Sequence, residues 1–201
     1  MTALLAFSRA VDSLNERVGR IAAWLVLLSC LISAGNAMVR YGIGTSGNAW
    51  LEIQWYLFSA VFLLGASYTL KVNEHVRVDI VYSSISGRAR LWVDLLGTIV
   101  FMLPAVIMLT LMTWPFFANS VVKAPEGETA PDFAATLEGI FTPLGWERSD
   151  KAGGLIRWPI KIMMPIGFFL LSIQGLSELI KRAAALLGAY RLDTRYEKPL
   201  Q

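Results

Sequence analysis

Few side chains in this sequence could do chemistry, and the most informative of them begin a long apolar run. Glu52 precedes the charge-free stretch 57–70 and shares a helical stripe with Tyr56 and Ser59 at i+4 and i+7. A carboxylate beside a membrane segment is a candidate ion or proton ligand. Arg40 is expected at the same level across a short turn. An Arg40–Glu52 ion pair is therefore one hypothesis, and two independent interfacial charges are the other.

The remaining reactive groups argue against catalysis and against a bound cofactor. His75 is the single histidine, so it is either a proton relay or a structural residue, and this chain alone cannot hold a haem between two histidines. Cys30 is the single cysteine, which excludes an internal disulfide and a multi-thiolate metal site. No glycine-rich phosphate loop is present. We expect no catalytic residue, cofactor or metal, and the protein is not expected to be an enzyme.

The elements that must position these residues are four apolar blocks. Apolar residues make up 55% of the chain and charged residues 16%, and the mean hydropathy is +0.53. About twenty apolar residues suffice to cross the hydrocarbon core of a bilayer as a helix. The blocks predict an all-α membrane protein with four transmembrane helices, at about 21–39, 51–70, 91–117 and 158–180. Basic residues flank these blocks instead of forming a patch, so no nucleic-acid partner is expected.

The first twenty residues have the pattern of an amphipathic helix. Apolar residues recur at three- and four-residue steps with charged residues between them: Leu4, Phe7, Val11, Leu14 and Val18. Residues 1–20 are therefore predicted to lie on the membrane surface and to contact lipid. The alternative is a solvated helix that is continuous with the span at 21–39.

Prolines and glycines mark the second half of the chain. Pro104 predicts a bend in the third span, and Pro115 predicts its end. The polar connection 118–157 follows. Within it, residues 133–141 are predicted to form a short helix capped by Asp132.

The distribution of lysine and arginine predicts the orientation. With four spans, twelve of these residues lie on the side of the chain termini and six on the other. The positive-inside rule then places both termini, including the tail 183–201, in the cytoplasm. The connection 118–157 is expected to be periplasmic.

The sequence also resembles a known family, the small permease subunit of tripartite ATP-independent periplasmic (TRAP) transporters, of the DctQ type. The resemblance covers roughly residues 15–185. It is carried in order by Arg40-Tyr41-Gly42, Trp50, Glu52, Phe62-Leu63-Leu64-Gly65-Ala66, His75-Val76-Arg77-Val78-Asp79, Trp158-Pro159 and Pro165-Ile166-Gly167.

The resemblance implies a function and partners. It implies a bacterial inner-membrane subunit of a sodium-coupled secondary transporter for organic acids, in which a large multi-span subunit of the DctM type transports and a periplasmic binding protein delivers substrate. The small subunit would be a scaffold, and its 118–157 loop could help to dock the binding protein. The candidates for subunit-interface or structural residues are Arg40, Trp50, Glu52, Trp55, Tyr56, His75, Arg77, Asp79, Trp158 and Pro165.

Two other functions remain open from the residues. One is a self-contained homo-oligomeric carrier or channel that uses Glu52 as its coupling carboxylate. The other is a membrane anchor of a redox enzyme that shares a haem with a partner through His75.

Overall fold

The protein is a bundle of long helices. The computed structural model describes residues 2–45, 47–73, 85–123 and 130–190. Its elements are helices, with one isolated antiparallel β-bridge between Arg148 and Ile156. Four helical stretches are long and apolar enough to cross a membrane: Thr2–Ile43, Asn48–Lys71, Gly87–Val121 and Trp158–Leu186. The all-helical class and the four span-length helices are confirmed.

Helix α1 (Thr2–Ile43) is one uninterrupted element of 42 residues. At 1.5 Å per residue it is about 63 Å long, roughly twice the thickness of the hydrocarbon core. Residues 2–20 are therefore continuous with the span at 21–39 and are not a separate helix, and their location on the membrane surface stays a prediction. Ser8, Val11 and Asn15 are buried in its first half, because this part of α1 packs against the last helix of the chain.

Helix α2 (Asn48–Lys71) returns antiparallel to α1 after a tight turn. Gly44 has a φ of 76° in this turn, a left-handed conformation that side chains other than glycine rarely adopt. The two helices form a hairpin, as the sequence predicted.

The third span consists of α3 (Gly87–Gly97), a π-helical turn (Thr98–Met102) and α4 (Leu103–Val121). Pro104 lies two residues after the π-helical turn and cannot donate a hydrogen bond to the preceding turn, so the change of winding occurs where the sequence predicted a bend. The predicted end near Pro115 is wrong, because α4 continues to Val121. Phe117 and Val121 are buried in these last turns, and their packing compensates for the hydrogen bond that Pro115 cannot make.

The connection after α4 contains the predicted short helix. Helix α5 (Phe133–Phe141) has the expected bounds, and Asp132 is its N-cap. The Asp132 carboxylate accepts a hydrogen bond of 2.7 Å from the Ala135 amide, which satisfies one of the unpaired donors of the first turn. A short 3₁₀ turn (Pro143–Gly145) follows.

The last span consists of α6 (Trp158–Lys161) and α7 (Met163–Leu186). Pro165 lies in the first turn of α7 and has no N–H for the Lys161 carbonyl, which accounts for the break at residue 162. The helix ends six residues beyond the predicted boundary at 180. Its last turn includes residues 183–186, which the sequence assigned to the tail.

Helix α7 is the centre of the bundle and contacts α1, α2, α3 and α4. Glycines permit two of the closest approaches. A Cβ atom on Gly167 would lie 2.8 Å from Leu63 Cβ and 2.9 Å from its carbonyl oxygen, and a Cβ on Gly19 would lie 2.6 Å from the Tyr68 ring. Small residues at such crossings allow membrane helices to pack closely. We call the end of the bundle with Thr2 and Leu186 the terminal end, and the other the loop end.

The Gly167→Ala substitution should weaken the contact between α7 and α2, because the new methyl group meets backbone atoms that cannot rotate away. Overpacking of this kind costs about 1–3 kcal/mol. The Gly35→Ala variant is the matched control, because nothing lies within 4 Å of its new methyl group. Thermal unfolding in mild detergent should show a lower midpoint for Gly167→Ala than for Gly35→Ala. Equal midpoints would contradict the tight crossing.

Candidate functional site

At the loop end, residues 147–157 form a small hairpin that is docked on helix α2. We call it the 147–157 hairpin. Its two arms are joined by backbone hydrogen bonds from Ser149 N to Leu155 O (3.0 Å) and from Arg157 N to Glu147 O (2.9 Å). Gly153 has a φ of 71° at the tip, which lets the chain reverse tightly.

Glu52 is the residue of α2 that holds the hairpin. One carboxylate oxygen accepts a hydrogen bond from the Ser149 hydroxyl, and the other accepts one of 2.7 Å from the Leu155 amide. Glu52 is only 6% exposed. A buried carboxylate that accepts from two donors is well satisfied. The predicted Arg40–Glu52 ion pair is not formed: Arg40 is exposed, whereas the buried Glu52 carboxylate is bound by the hairpin.

Three further residues near the start of α2 contact the same hairpin. The Tyr56 hydroxyl donates to the Ile156 carbonyl at 3.1 Å. The Asn48 amide donates to the Ala152 carbonyl at 3.0 Å. The Lys151 ammonium lies 5.1 Å from the centre of the Trp55 ring, within the range of a cation–π contact. Glu52, Trp55 and Tyr56 are thus brought together by one loop that lies about a hundred residues away in sequence.

A group of ion pairs fixes the base of the hairpin to the last span. Glu147 is paired with Arg157 and with Lys161, and Arg157 also reaches Asp150 at 3.0 Å. Partial burial acts to raise the pKa of Glu147, but the hydrogen bonds and charges of Lys161 and Arg157 outweigh it and lower the pKa below its ordinary value. The pKa of Arg157 is raised by its hydrogen bond to Glu147. The stabilisation by Glu147 is present above the ordinary carboxyl pKa and is lost as the pH falls through the lowered value.

Four other predicted site residues lie at the loop end. Arg40 is exposed in the last turn of α1, and Trp50 is exposed in the first turn of α2. The Trp158 ring lies 5.8 Å from the Trp146 ring, and its buried Nε1 has no partner among the described residues. Pro165 is buried at the start of α7. His75, Arg77 and Asp79 lie outside the described residues.

A second polar cluster joins α1 to α7 at the terminal end, and the sequence did not predict it. The Lys181 ammonium lies 3.1 Å from both Asp12 carboxylate oxygens and also contacts Glu178. The Gln174 amide donates to Asp12 and to Glu178, each at 3.0 Å. Asn15 donates to the Gln174 carbonyl oxygen at 2.7 Å.

Arg182 extends this cluster to the third span. Its guanidinium donates to the Thr98 hydroxyl at 3.3 Å and lies 3.7 Å from the Asp94 carboxylate and 3.9 Å from Glu178. Arg182 and Glu178 are both buried. Buried charges are tolerated only when they are paired, and removing one partner leaves an uncompensated charge at high cost. The terminal cluster thus connects three elements of the bundle through α7.

The terminal cluster has a signal in the sequence that was not used. Ser8, Asp12 and Asn15 share one face of α1, and Gln174, Ser177 and Lys181 share one face of α7. Two polar faces at helical spacing, each beside an apolar span, indicate that the two helices meet there. Glu178 lies three and four residues before Lys181 and Arg182, a spacing that favours local ion pairs. Both contacts exist, but they belong to this larger arrangement.

These features define a polytopic α-helical membrane protein whose helices and loop are joined by two clusters of polar side chains. A model of the family described as "Tripartite ATP-independent periplasmic transporters, DctQ component" matches residues 29–185. The chain therefore belongs to the DctQ family of TRAP transporter components, as the resemblance implied, and it is a transmembrane protein of a transport system. The family is one of transporter components and not of enzymes. No curated protein and no solved structure matches the chain significantly.

Removing the Glu52 carboxylate should release the 147–157 hairpin, because two of its donors lose their acceptor. We expect the Glu52→Ala variant to be cleaved by trypsin after Lys151 at least several-fold faster than the parent protein. Glu52→Gln should show a smaller increase, because its amide oxygen still accepts one hydrogen bond. Cleavage sites and rates are measured by mass spectrometry in mild detergent.

The control for this experiment is Glu138→Gln, which changes an exposed carboxyl group on α5. Its cleavage rate after Lys151 should equal that of the parent protein. If Glu52→Ala is no faster than this control, Glu52 does not hold the hairpin.

Proposed function

We propose that this chain is the small subunit of a sodium-coupled secondary transporter for organic acids in the bacterial inner membrane, and that it acts as a scaffold for a large multi-span subunit of the DctM type. Membership of the DctQ family supports the transport system and the existence of such partners. The scaffolding role is supported by where the polar side chains of the described residues lie and by what they contact.

Polar contacts between helices in the described residues form two groups. One is the set of hairpin contacts at the loop end, and the other is the terminal cluster, which extends along α7 from Arg182 inward to Gln174. Other hydroxyl groups donate to the backbone of their own helix, as Thr110 does to Val106 and Ser172 to Phe168. A membrane carrier needs polar groups that replace the hydration of its substrate or ion near mid-bilayer. The buried polar groups of the terminal cluster are instead paired with one another, which favours a supporting role for this subunit.

The same contacts make Glu52 a poor coupling carboxylate. A group that binds and releases an ion must have oxygens that are free in one state, whereas both Glu52 oxygens accept hydrogen bonds from the hairpin. This argues against the alternative of a self-contained carrier. A redox anchor through His75 has no supporting observation in the described residues.

A pull-down tests the scaffolding proposal directly. The tagged chain is isolated from its native membrane in mild detergent, and the proteins that come with it are identified by mass spectrometry. We expect a large multi-span subunit at equal stoichiometry. Recovery of the chain alone as a homo-oligomer, or transport by the purified chain alone, would overturn the proposal. A visible haem spectrum in the complex would favour the redox alternative.

We further propose that both termini are cytoplasmic and that the 147–157 hairpin faces the periplasmic binding protein. The excess of lysine and arginine on the terminal side supports this orientation. The hairpin tip is exposed at Lys151, Ala152 and Gly153, whereas its base is fixed by Glu52. A rigid base with an exposed tip suits a surface that a soluble partner contacts repeatedly.

Cysteine labelling tests the orientation and the docking role together. The single cysteine is first removed by Cys30→Ser, and Ala152→Cys or Leu187→Cys is then introduced, at the loop end and the terminal end respectively. A bulky, membrane-impermeant maleimide should label Ala152→Cys in cells with a permeable outer membrane, and it should slow uptake. Leu187→Cys should be labelled only after the inner membrane is opened. The reverse labelling pattern would contradict the orientation, and full uptake after labelling of Ala152→Cys would contradict the docking role.

A further inference from the structure

Helix α5 has an exposed apolar face that the scaffold and docking roles do not explain. Phe133 is 62% exposed, Leu137 43% and Phe141 84%. These residues lie within about 80° of one another around the helix axis. Glu138 is the only charged residue of α5, and it lies outside this arc. The opposite face is used internally, because Thr136 and Gly139 are buried.

The buried face of α5 is fixed against the end of α4. A Cβ atom on Gly139 would lie 2.1 Å from Val122 and 2.9 Å from Val121, so the two segments pack at a distance that only glycine allows. The Trp146 indole donates to the Gly139 carbonyl at 2.9 Å. At the other end of α5, the Phe133 ring stacks on Trp114, with ring centres 5.5 Å apart.

These two contacts define the depth of α5. Trp114 lies seven residues, or about 10 Å, before Val121 along the span. Since Phe133 contacts Trp114 and Gly139 contacts Val121, α5 runs beside the last two turns of α4 in the same direction. It does not extend away from the bundle. Phe133 therefore lies at the level of Trp114, about 10 Å before the end of α4.

That level is the boundary between lipid tails and headgroups. The helical stretch Gly87–Val121 has 35 residues, so it is about 52 Å long. A centred hydrocarbon core of about 30 Å leaves about 11 Å of helix at each end, which brings Trp114 to the edge of the core. Tryptophan prefers this position. Met112 and Phe116, at the same level of α4, are also exposed, so the α5 face continues the apolar surface of the span.

From this placement we infer that α5 is an interfacial anchor, whose apolar face enters the lipid bilayer at the loop end, with Phe133 at the edge of the hydrocarbon core, Leu137 at headgroup level and Phe141 further out. An uncharged apolar face that starts at the edge of the core and continues the apolar surface of the span matches lipid, because exposed side chains at this level contact lipid tails and headgroups. The long connection is then divided into two parts. Helix α5 binds lipid, and the 147–157 hairpin is left for water and soluble partners.

Spin labels test this assignment in the complete complex with the large subunit, reconstituted in phospholipid nanodiscs. In the Cys30→Ser background, single labels are attached to Phe133→Cys, Leu137→Cys or Phe141→Cys. Collisions with oxygen, which concentrates in lipid, are compared with collisions with a water-soluble nickel chelate. We expect oxygen to dominate at Phe133→Cys and Leu137→Cys and insertion depth to decrease from 133 to 141, because position 141 lies about 12 Å further along α5 than position 133.

Three further single-label variants calibrate the result. Leu111→Cys, in the span and 68% exposed, reports lipid, and Ala152→Cys at the hairpin tip reports water. Glu138→Cys, on the other side of α5, should collide with nickel more often than Leu137→Cys does. The Phe141→Cys and Leu137→Cys labels keep the test valid if the loss of the Phe133 ring disturbs Trp114.

Two outcomes would overturn the inference. Collision with nickel at all three positions, as at Ala152→Cys, would show that the face lies in water. Low collision with both reagents in the complex, but not in the isolated subunit, would show that the large subunit covers it. Neither outcome depends on whether the chain scaffolds a transporter, which the pull-down decides separately.

Discussion

The structure depends on the attachment of the last span, α6 and α7, to the rest of the chain at both of its ends. Within lipid, apolar side chains gain little by leaving the tails for one another, so close packing and polar contacts between helices must supply the association. The crossing at Gly167 supplies close packing with α2. At the terminal end, Lys181 and Arg182 connect α7 to α1 and to the third span. At the loop end, Arg157 and Lys161 connect the start of the last span to the hairpin that Glu52 holds.

The placement of the charges follows from the same constraint. Asp12, Glu178 and Asp94 are buried or partly buried near Lys181 and Arg182, and each would be costly if it stood alone at this depth. Their mutual pairing makes the terminal ends of α1, α3 and α7 a single unit, since the loss of one member leaves the others uncompensated. A bundle that is fixed in this way at both ends is suited to remain stationary while a neighbouring subunit moves, in agreement with the proposed scaffold.

Local signals in the sequence were sufficient to predict the elements but not the contacts between them. The span-length helices follow from apolar runs, and α5 follows from a cap and a periodic face within nine residues. The partners of Glu52 could not be predicted, because Ser149 and Leu155 lie about a hundred residues away and carry no charge to suggest a pairing. The sequence favours Arg40 as the partner of Glu52, because Arg40 is charged and near in sequence. The end of α4 was missed for a related reason, since the burial that carries the helix past Pro115 is a tertiary effect.

The connection between the third and last spans has two parts, an apolar helix beside the span and a polar hairpin. Its first part contains α5, where glycine at 139 and the stacking of Phe133 on Trp114 hold an apolar helix beside the span. Its second part is the hairpin, where backbone pairing and the carboxylate of Glu52 satisfy polar groups that would be costly in lipid. The Trp146 indole joins the two parts by its hydrogen bond to Gly139. A lipid-facing α5 would therefore fix the height of the hairpin above the membrane, because the hairpin is attached to α5 on one side and to Glu52 on the other.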